Sequence, residues 1–172
     1  VHHLVSRICG LCCSAHQVAS LKALEDALGI EVTPAVQSLR QILVLGEWIS
    51  SHALSYFFLT MPDFTGTPGG AFGLLSSHPE VMTEAFALRR AGVRIVELLG
   101  KRAVHPVALG LGGFRMPPTA DEVDEVRQLA TQVKDRVEGL ITQAGKTHEF
   151  AEGLALAQDQ EMNFLVYDGR QE

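Results

Sequence analysis

At 172 residues, with 47% hydrophobic and 20% charged side chains, the chain is long and apolar enough to bury a core as a single domain, which excludes a disordered polypeptide. A net charge of −6, with no basic run longer than the pairs Arg89–Arg90 and Lys101–Arg102, excludes a nucleic-acid-binding surface. The slight apolar surplus is expected to face a partner.

The opening residues, Val1 to Ser6, carry no basic region leading into an apolar stretch, so no export signal is read there and a reducing cytoplasm is the expected compartment. A first helix follows the cysteines. Val18, Leu21, Leu24 and Leu28 recur at helical spacing, Lys22, Glu25 and Asp26 share the opposite side, and Gly29 closes it. Pro34 opens a second helix with the stripe Leu39, Ile42, Leu43, Gly46, Ile49, Ala53 and Phe57, running to Pro62. Its apolar stretch, Ile42 to Met61, is interrupted by Glu47, His52 and several serines. It is expected to fall short of a membrane span and to form a buried central helix.

The glycines and prolines of DFTGTPGGAFGLLS, residues 63–76, predict a loop without regular structure. Ser77 and Glu80 have capping-box spacing ahead of a third helix through Val81, Ala85, Leu88, Ile95 and Leu99, stopped by Gly100. In residues 101–116, Val104, Val107, Leu109 and Leu111 alternate around His105-Pro106 and lead to Gly112-Gly113, the pattern of a small β excursion. Thr119 and Glu122 repeat the capping-box spacing, and a fourth helix continues through Val126, Leu129, Val133, Val137 and Leu140 to about Ala144. Beyond it a short helix over residues 152–158 and a strand over NFLVYD, residues 163–168, are weaker expectations. The predicted fold is therefore mainly α: a bundle of about four helices with a small β excursion. It has a metal-ligand motif at residues 7–16, a helical core at 14–144 and an irregular part at 145–172, all in one domain.

RICGLCCSAH, residues 7–16, carries the chemistry. Cys9 and Cys12 are three apart and His16 lies four beyond Cys12, so on a helical turn both sulfurs and the imidazole are expected to converge. The positive end of a helix favours thiolate, the metal-binding form of cysteine. Three cysteines confined to Cys9–Cys13 cannot staple distant parts of the chain, so metal or redox chemistry is indicated. Three rival readings remain at this point. A thioredoxin-like dithiol needs a parallel sheet that the helical downstream chain does not offer. A zinc site would use Cys9, Cys12, Cys13 and His16, although adjacent cysteines project apart and structural zinc draws a second ligand pair from farther away. Plain buried cysteines are the third.

The string R-x-C-G-x-C-x-x-x-H, matched by Arg7, Cys9, Gly10, Cys12 and His16, resembles the first signature of nickel-iron hydrogenase large subunits. The run from Ala19 to Gly29, SHALSYFFLTMPDF, and GKRAVHPVALGLGGF are similar to the soluble branch coupled to NAD(P) or deazaflavin carriers, so the resemblance extends from Arg7 to Pro118. It implies the large-subunit fold, Cys9 as a terminal nickel ligand, and Cys12 as a thiolate bridging nickel to an iron that holds carbonyl and cyanide. His16 would act around the ligands, and no catalytic residue beyond the ligands is implied. The implied reaction is heterolytic cleavage or production of dihydrogen, with electrons leaving through a small subunit carrying iron–sulfur clusters and a flavin or NAD(P) diaphorase.

The family's second cysteine pair and its upstream Glu-Gly stretch are not within these 172 residues. The chain is therefore expected to be a fragment, inactive alone, lacking the native centre and prone to self-association. The alternative is the related large subunit of complex I, which is a scaffold without the metal, and retention of both cysteines argues against it. Cys13 is expected to pack, His105 to be a turn residue with a satisfied imidazole, and Glu47 to be a buried, hydrogen-bonded acid. His2, His3, His52, His78 and His148 have no site-forming spacing.

Overall fold

The computed structural model describes residues 1–144, so the helix and strand expected beyond residue 145 lie outside the described residues. Val1–Arg136 form one compact unit and a second begins at Val137. Four long helices account for most of the first unit: α2 (Cys13–Leu28), α3 (Pro34–Ala53), α6 (Pro79–Gly100) and the greater part of α7 (Ala120–Ala144). Shorter pieces are α1 (His2–Val5), α4 (Met61–Phe64), α5 (Gly70–Ser77) and a hairpin of β1 (Leu109–Gly110) and β2 (Gly113–Phe114). The hairpin pairs Leu109 with Phe114 and Gly110 with Gly113, antiparallel, as the alternation over residues 101–116 predicted.

Gly29 ends α2 in the left-handed conformation (φ 64°) and returns its N–H to the Asp26 carbonyl. Thr33 caps α3 by accepting from the Val36 amide, and Pro34 occupies the first turn, where its missing N–H costs nothing. The two capping boxes part company. Thr119 and Glu122 form theirs, each accepting the other's backbone N–H. Ser77 and Glu80 do not: with Pro79 as the first residue of α6 the cap position falls on His78, one residue too late for Ser77, whose hydroxyl instead donates to the Gly73 carbonyl. Likewise α6 is stopped by Lys101 in the left-handed region (φ 59°) rather than by Gly100. Gly100 serves a close contact, since a β-carbon there would lie 2.8 Å from Cβ of Pro106.

The central packing is α3 on α6. Gly46 and Gly92 let the two backbones approach so closely that a β-carbon at Gly92 would lie 2.6 Å from the Gly46 carbonyl oxygen. Leu43, Ile95, Val96, Leu98 and Leu99 fill the interface with Val18 and Leu21 of α2, Ala108 and Leu109 of the hairpin segment, and Val126 of α7. Glu25, expected on the solvent side of α2, is instead 4% exposed. Arg40 of α3 explains the reversal: its two NH groups each lie 2.7 Å from a Glu25 oxygen, and one also donates to the Gly110 carbonyl. The Gly112 amide completes the carboxylate's partners at 2.8 Å. One ion pair thus ties α2, α3 and the hairpin together.

Two expectations for residues 34–76 are corrected. The segment predicted to lack regular structure contains α5. The second helix does not stop at Pro62, because a π-helical segment, Leu54–Thr60, joins α3 to α4 and places Pro62 in the first turn of α4. Pro34–Phe64 thereby becomes a 31-residue helical run, long and apolar enough by length and composition to cross a membrane. Its ionic groups mark it as a bundle helix: Arg40 and Glu47 are buried and bonded to α2 and the hairpin. Nor is it buried on all sides, since Leu45, Trp48, Tyr56 and Leu59 are exposed. The apolar surplus in the composition is partly located there.

Candidate metal centre

A 3-10 turn, Ser6–Ile8, delivers the chain to Cys9, which is extended (φ −142°, ψ 136°). Gly10 and Leu11 carry the chain on to Cys12, the N-cap of α2. The Cys9 sulfur accepts the amide hydrogens of Leu11 (3.4 Å) and Cys12 (3.3 Å). Cys9 and Cys12 are both half-buried and reachable from solvent.

Their proton affinities are pushed in opposite directions. Cys12 and the two backbone amides hold the Cys9 thiol below its ordinary range. Cys12 is pushed up to about 11, first by Cys9, and burial and the nearby charges of Cys9 and Glu47 act in the same direction. The expectation that the helix start favours thiolate fails for Cys12, which stands at that start, while Cys9 is lowered by Cys12 and the amides of its own loop and not by the helix. Convergence is also narrower than the spacing suggested. Cys12 has the non-helical backbone of a cap (φ −127°, ψ 27°), so the shared-face rule that would align it with His16 does not operate. His16 is half-buried, and its backbone N–H donates to the Cys12 carbonyl at 3.1 Å. Among the described residues no three His, Cys, Asp or Glu side chains form a group able to hold a metal ion. Two soft sulfurs on one short turn suit a thiophilic metal.

Behind this pair lies a buried polar cluster. Cys13, 2% exposed, donates from its thiol to Glu47 Oε1 at 3.2 Å and accepts the His105 backbone N–H at 3.2 Å. Burial pushes its thiol up. Cys13 packs, as expected. Glu47, 7% exposed, is the buried, hydrogen-bonded acid expected, and it also accepts the amides of Ser14 (2.7 Å) and Ala15 (3.1 Å). His105 sits in a bend at φ 55°, its Nδ1–H donating to the Ser6 carbonyl at 2.9 Å. Gln17, which sequence reasoning passed over, is fully buried and donates to the Pro106 carbonyl, with His3 Nδ1 3.1 Å from the same nitrogen. What sequence reasoning missed about Glu47 is its partner. The available signal was Cys12 itself, a cap residue without a capping oxygen.

Residues 1–67 match the family described as nickel-dependent hydrogenase. The chain is 39% identical over 139 residues to one subunit of the vhu F420-non-reducing hydrogenase of Methanocaldococcus jannaschii, covering 77% of this chain and 33% of that protein. It is 38% identical over 128 residues to the alpha subunit of sulfhydrogenase 2 of Pyrococcus furiosus, covering 74% and 31%. The chain thus spans about a third of the length of these curated relatives. Among solved structures, an NAD+-reducing [NiFe]-hydrogenase in the H2-reduced state superposes with a TM-score of 0.80, covering 90% of this chain and 36% of that one. At 24% identity that likeness shows the fold, and the fold agrees with the large-subunit expectation.

Proposed function

The chain belongs to the nickel-dependent hydrogenase family, and from that premise we propose that it supplies the first cysteine pair of a nickel-iron centre in a hydrogenase large subunit. The observation that carries this reading is the turn within the matched motif that brings the Cys12 amide to 3.3 Å from the Cys9 sulfur, with both cysteines half-buried. Cys9 would hold nickel as a terminal thiolate, and Cys12 would hold nickel together with iron. His16, one turn beyond Cys12 along the chain, is proposed as an outer group of the complete site and not as a ligand. Loading requires both thiols to be deprotonated, which makes binding stronger as pH rises. When bound, such a centre, with carbonyl and cyanide on its iron, supplies the heterolytic cleavage of dihydrogen.

Cys9 and Cys12 would be half of the ligand set of such a centre, and two thiolates alone are not expected to support turnover. Its relatives are named as subunits of larger hydrogenases. An iron–sulfur small subunit, with a flavin or NAD(P) diaphorase beyond it, is accordingly proposed to take the electrons. Three unpaired thiols support a reducing cytoplasm as the compartment.

Dihydrogen-dependent dye reduction and nickel content of the assembled complex test the assignment. Cys9→Ser and Cys12→Ser are each expected to abolish activity and deplete nickel. Survival of activity in either variant removes that residue from the ligand set. A full-length reading frame without a distal Cys-x-x-Cys would sink the hydrogenase reading altogether.

A further inference from the structure

A helix start leaves its first amides without intrahelical partners, and an oxygen on the N-cap side chain ordinarily accepts from the second or third of them. The N-cap of α2 is Cys12, which makes no capping bond. The second and third residues of the helix, Ser14 and Ala15, instead give their amide hydrogens to the two carboxylate oxygens of Glu47, at 2.7 and 3.1 Å, from 33 and 32 residues along the chain. A carboxylate at this end of a helix is also favoured by the helix dipole. A remote acid thus performs the cap, and the cap residue is left with its sulfur uncommitted to the helix.

The same carboxylate anchors more than the helix. Through Glu47 Oε1 the Cys13 thiol is fixed, and the Cys13 sulfur in turn holds the His105 backbone N–H. The His105 imidazole then reaches the Ser6 carbonyl. Ser6 precedes Cys9 by three residues and Cys13 follows Cys12 directly, so both ends of the cysteine loop are tied to one buried cluster. Between those ties Gly10 and Leu11 are exposed and cannot define the loop by their own burial. His105 accepts a left-handed backbone, φ 55°, at the point where its N–H meets the sulfur.

We infer that Glu47 is a positioning residue for the metal pair: through Cys13 and the His105 turn it holds Cys12 at the head of α2 with its sulfur free for a ligand. The inference rests on the reading of Cys9 and Cys12 as ligands.

The test uses the full chain under reducing conditions and Ni2+ alone, read by thiolate-to-nickel charge-transfer absorption, together with hydrogen exchange at the Leu11, Cys12, Ser14 and Ala15 amides. Glu47→Gln keeps one acceptor oxygen but turns an amide group toward a backbone N–H. It is expected to weaken Ni2+ binding about tenfold, the scale of lost outer-shell support, and to speed exchange at these amides, with helicity retained. Glu25→Gln, a buried acid of α2 remote from the cysteine loop, is the structural control and should lower stability without moving either signal. Cys13→Ala should behave like Glu47→Gln, and Cys13→Ser, which still donates and accepts, should restore part of the loss. This pair carries the test if Glu47→Gln fails to fold. Equal Ni2+ affinity and equal exchange in wild type, Glu47→Gln and Cys13→Ala would overturn the inference, as would equal effects from Glu25→Gln. If wild type binds no Ni2+ through its thiols, the ligand reading fails by itself. Selective loss of amide protection in Glu47→Gln would then still establish the bracing of the loop, and unchanged protection would refute it.

Discussion

Gly92→Ala isolates the contact on which the bundle depends. A β-carbon at this position would lie 2.6 Å from the Gly46 carbonyl oxygen, 2.6 Å from the Ser50 amide nitrogen and 3.0 Å from Ser50 Cβ, where ordinary contact begins at 3.4 Å. Relief therefore demands about 0.8 Å of separation (3.4 − 2.6) between α3 and α6. Two of the three obstructing atoms are backbone, so no rotamer change supplies it. Overpacking of this kind costs about 1–3 kcal/mol, and a clash with backbone belongs at the upper end. Removing a helical glycine returns about 1 kcal/mol. The net expectation is a loss of about 2 kcal/mol, the difference of these two effects, measured by urea unfolding followed by circular dichroism. Gly139→Ala on the exposed part of α7 is the control: nothing lies within 4 Å of its added methyl, so only the propensity gain remains and stability should rise. A Gly92→Ala midpoint at or above that of wild type, with unchanged slope, would refute the close approach of α3 and α6.

The buried pair yields a second expectation. Arg40→Met strands the Glu25 carboxylate in the interior at a cost of about 3–5 kcal/mol. The Arg40 hydrogen bonds hold the Glu25 carboxyl below its ordinary value of 4.5. A depressed folded-state value contributes stability that is present above the unfolded value and is lost as pH falls through the folded one. Wild type should accordingly lose stability below about pH 4.5, with a shallower acid limb in Arg40→Met, and parallel limbs in a pH series of urea unfolding would contradict the pairing. The cysteines should separate by reactivity. Near neutral pH alkylation should reach Cys9 first, Cys12 far more slowly, and Cys13 only on unfolding, as mapped by mass spectrometry of the peptides. Labelling of Cys12 ahead of Cys9 would reverse the proton assignment.

Much of the architecture was legible because it depends on local rules. Helical periodicity located α2, α3, α6 and α7, and the Thr119–Glu122 box formed because Thr119 does occupy the cap position. The Ser77–Glu80 box has the same spacing and failed by one residue, since Pro79 took the first helical position and moved the cap to His78. Composition misled over residues 63–76, where Gly66, Pro68 and Gly69 precede α5 but Gly70 and Gly73 lie within it. The motif in residues 7–16 was readable as chemistry. That Cys9 and Cys12 would be pushed in opposite directions, with His16 off the shared face, was not, because it depends on the non-helical backbone of Cys9 and Cys12.

Glu25 and Glu47 mark where periodic reading loses its grip. Counting along one helix assigns a face to each residue and implies that a charged residue belongs outside. That inference holds only when no partner waits across the interface. Arg40 is 15 residues from Glu25 and the Ser14 amide is 33 residues from Glu47, so neither partner is found by following one helix. The two acids nevertheless solve related problems in opposite chemical terms. Glu25 is neutralised by a cation and fastens α2 to α3 and the hairpin. Glu47 is satisfied instead by the amides of a helix start, where an anion is favoured without a cation beside it. An interior acid supported by a helix end adds no cation near Cys9 and Cys12. Had an arginine supported Glu47 instead, its positive charge would favour ionised thiols but oppose the approach of a metal cation. Capping from α3 therefore reconciles two requirements that a sequence window cannot display together: a rigid helix start, and a cysteine at its cap position with a free sulfur.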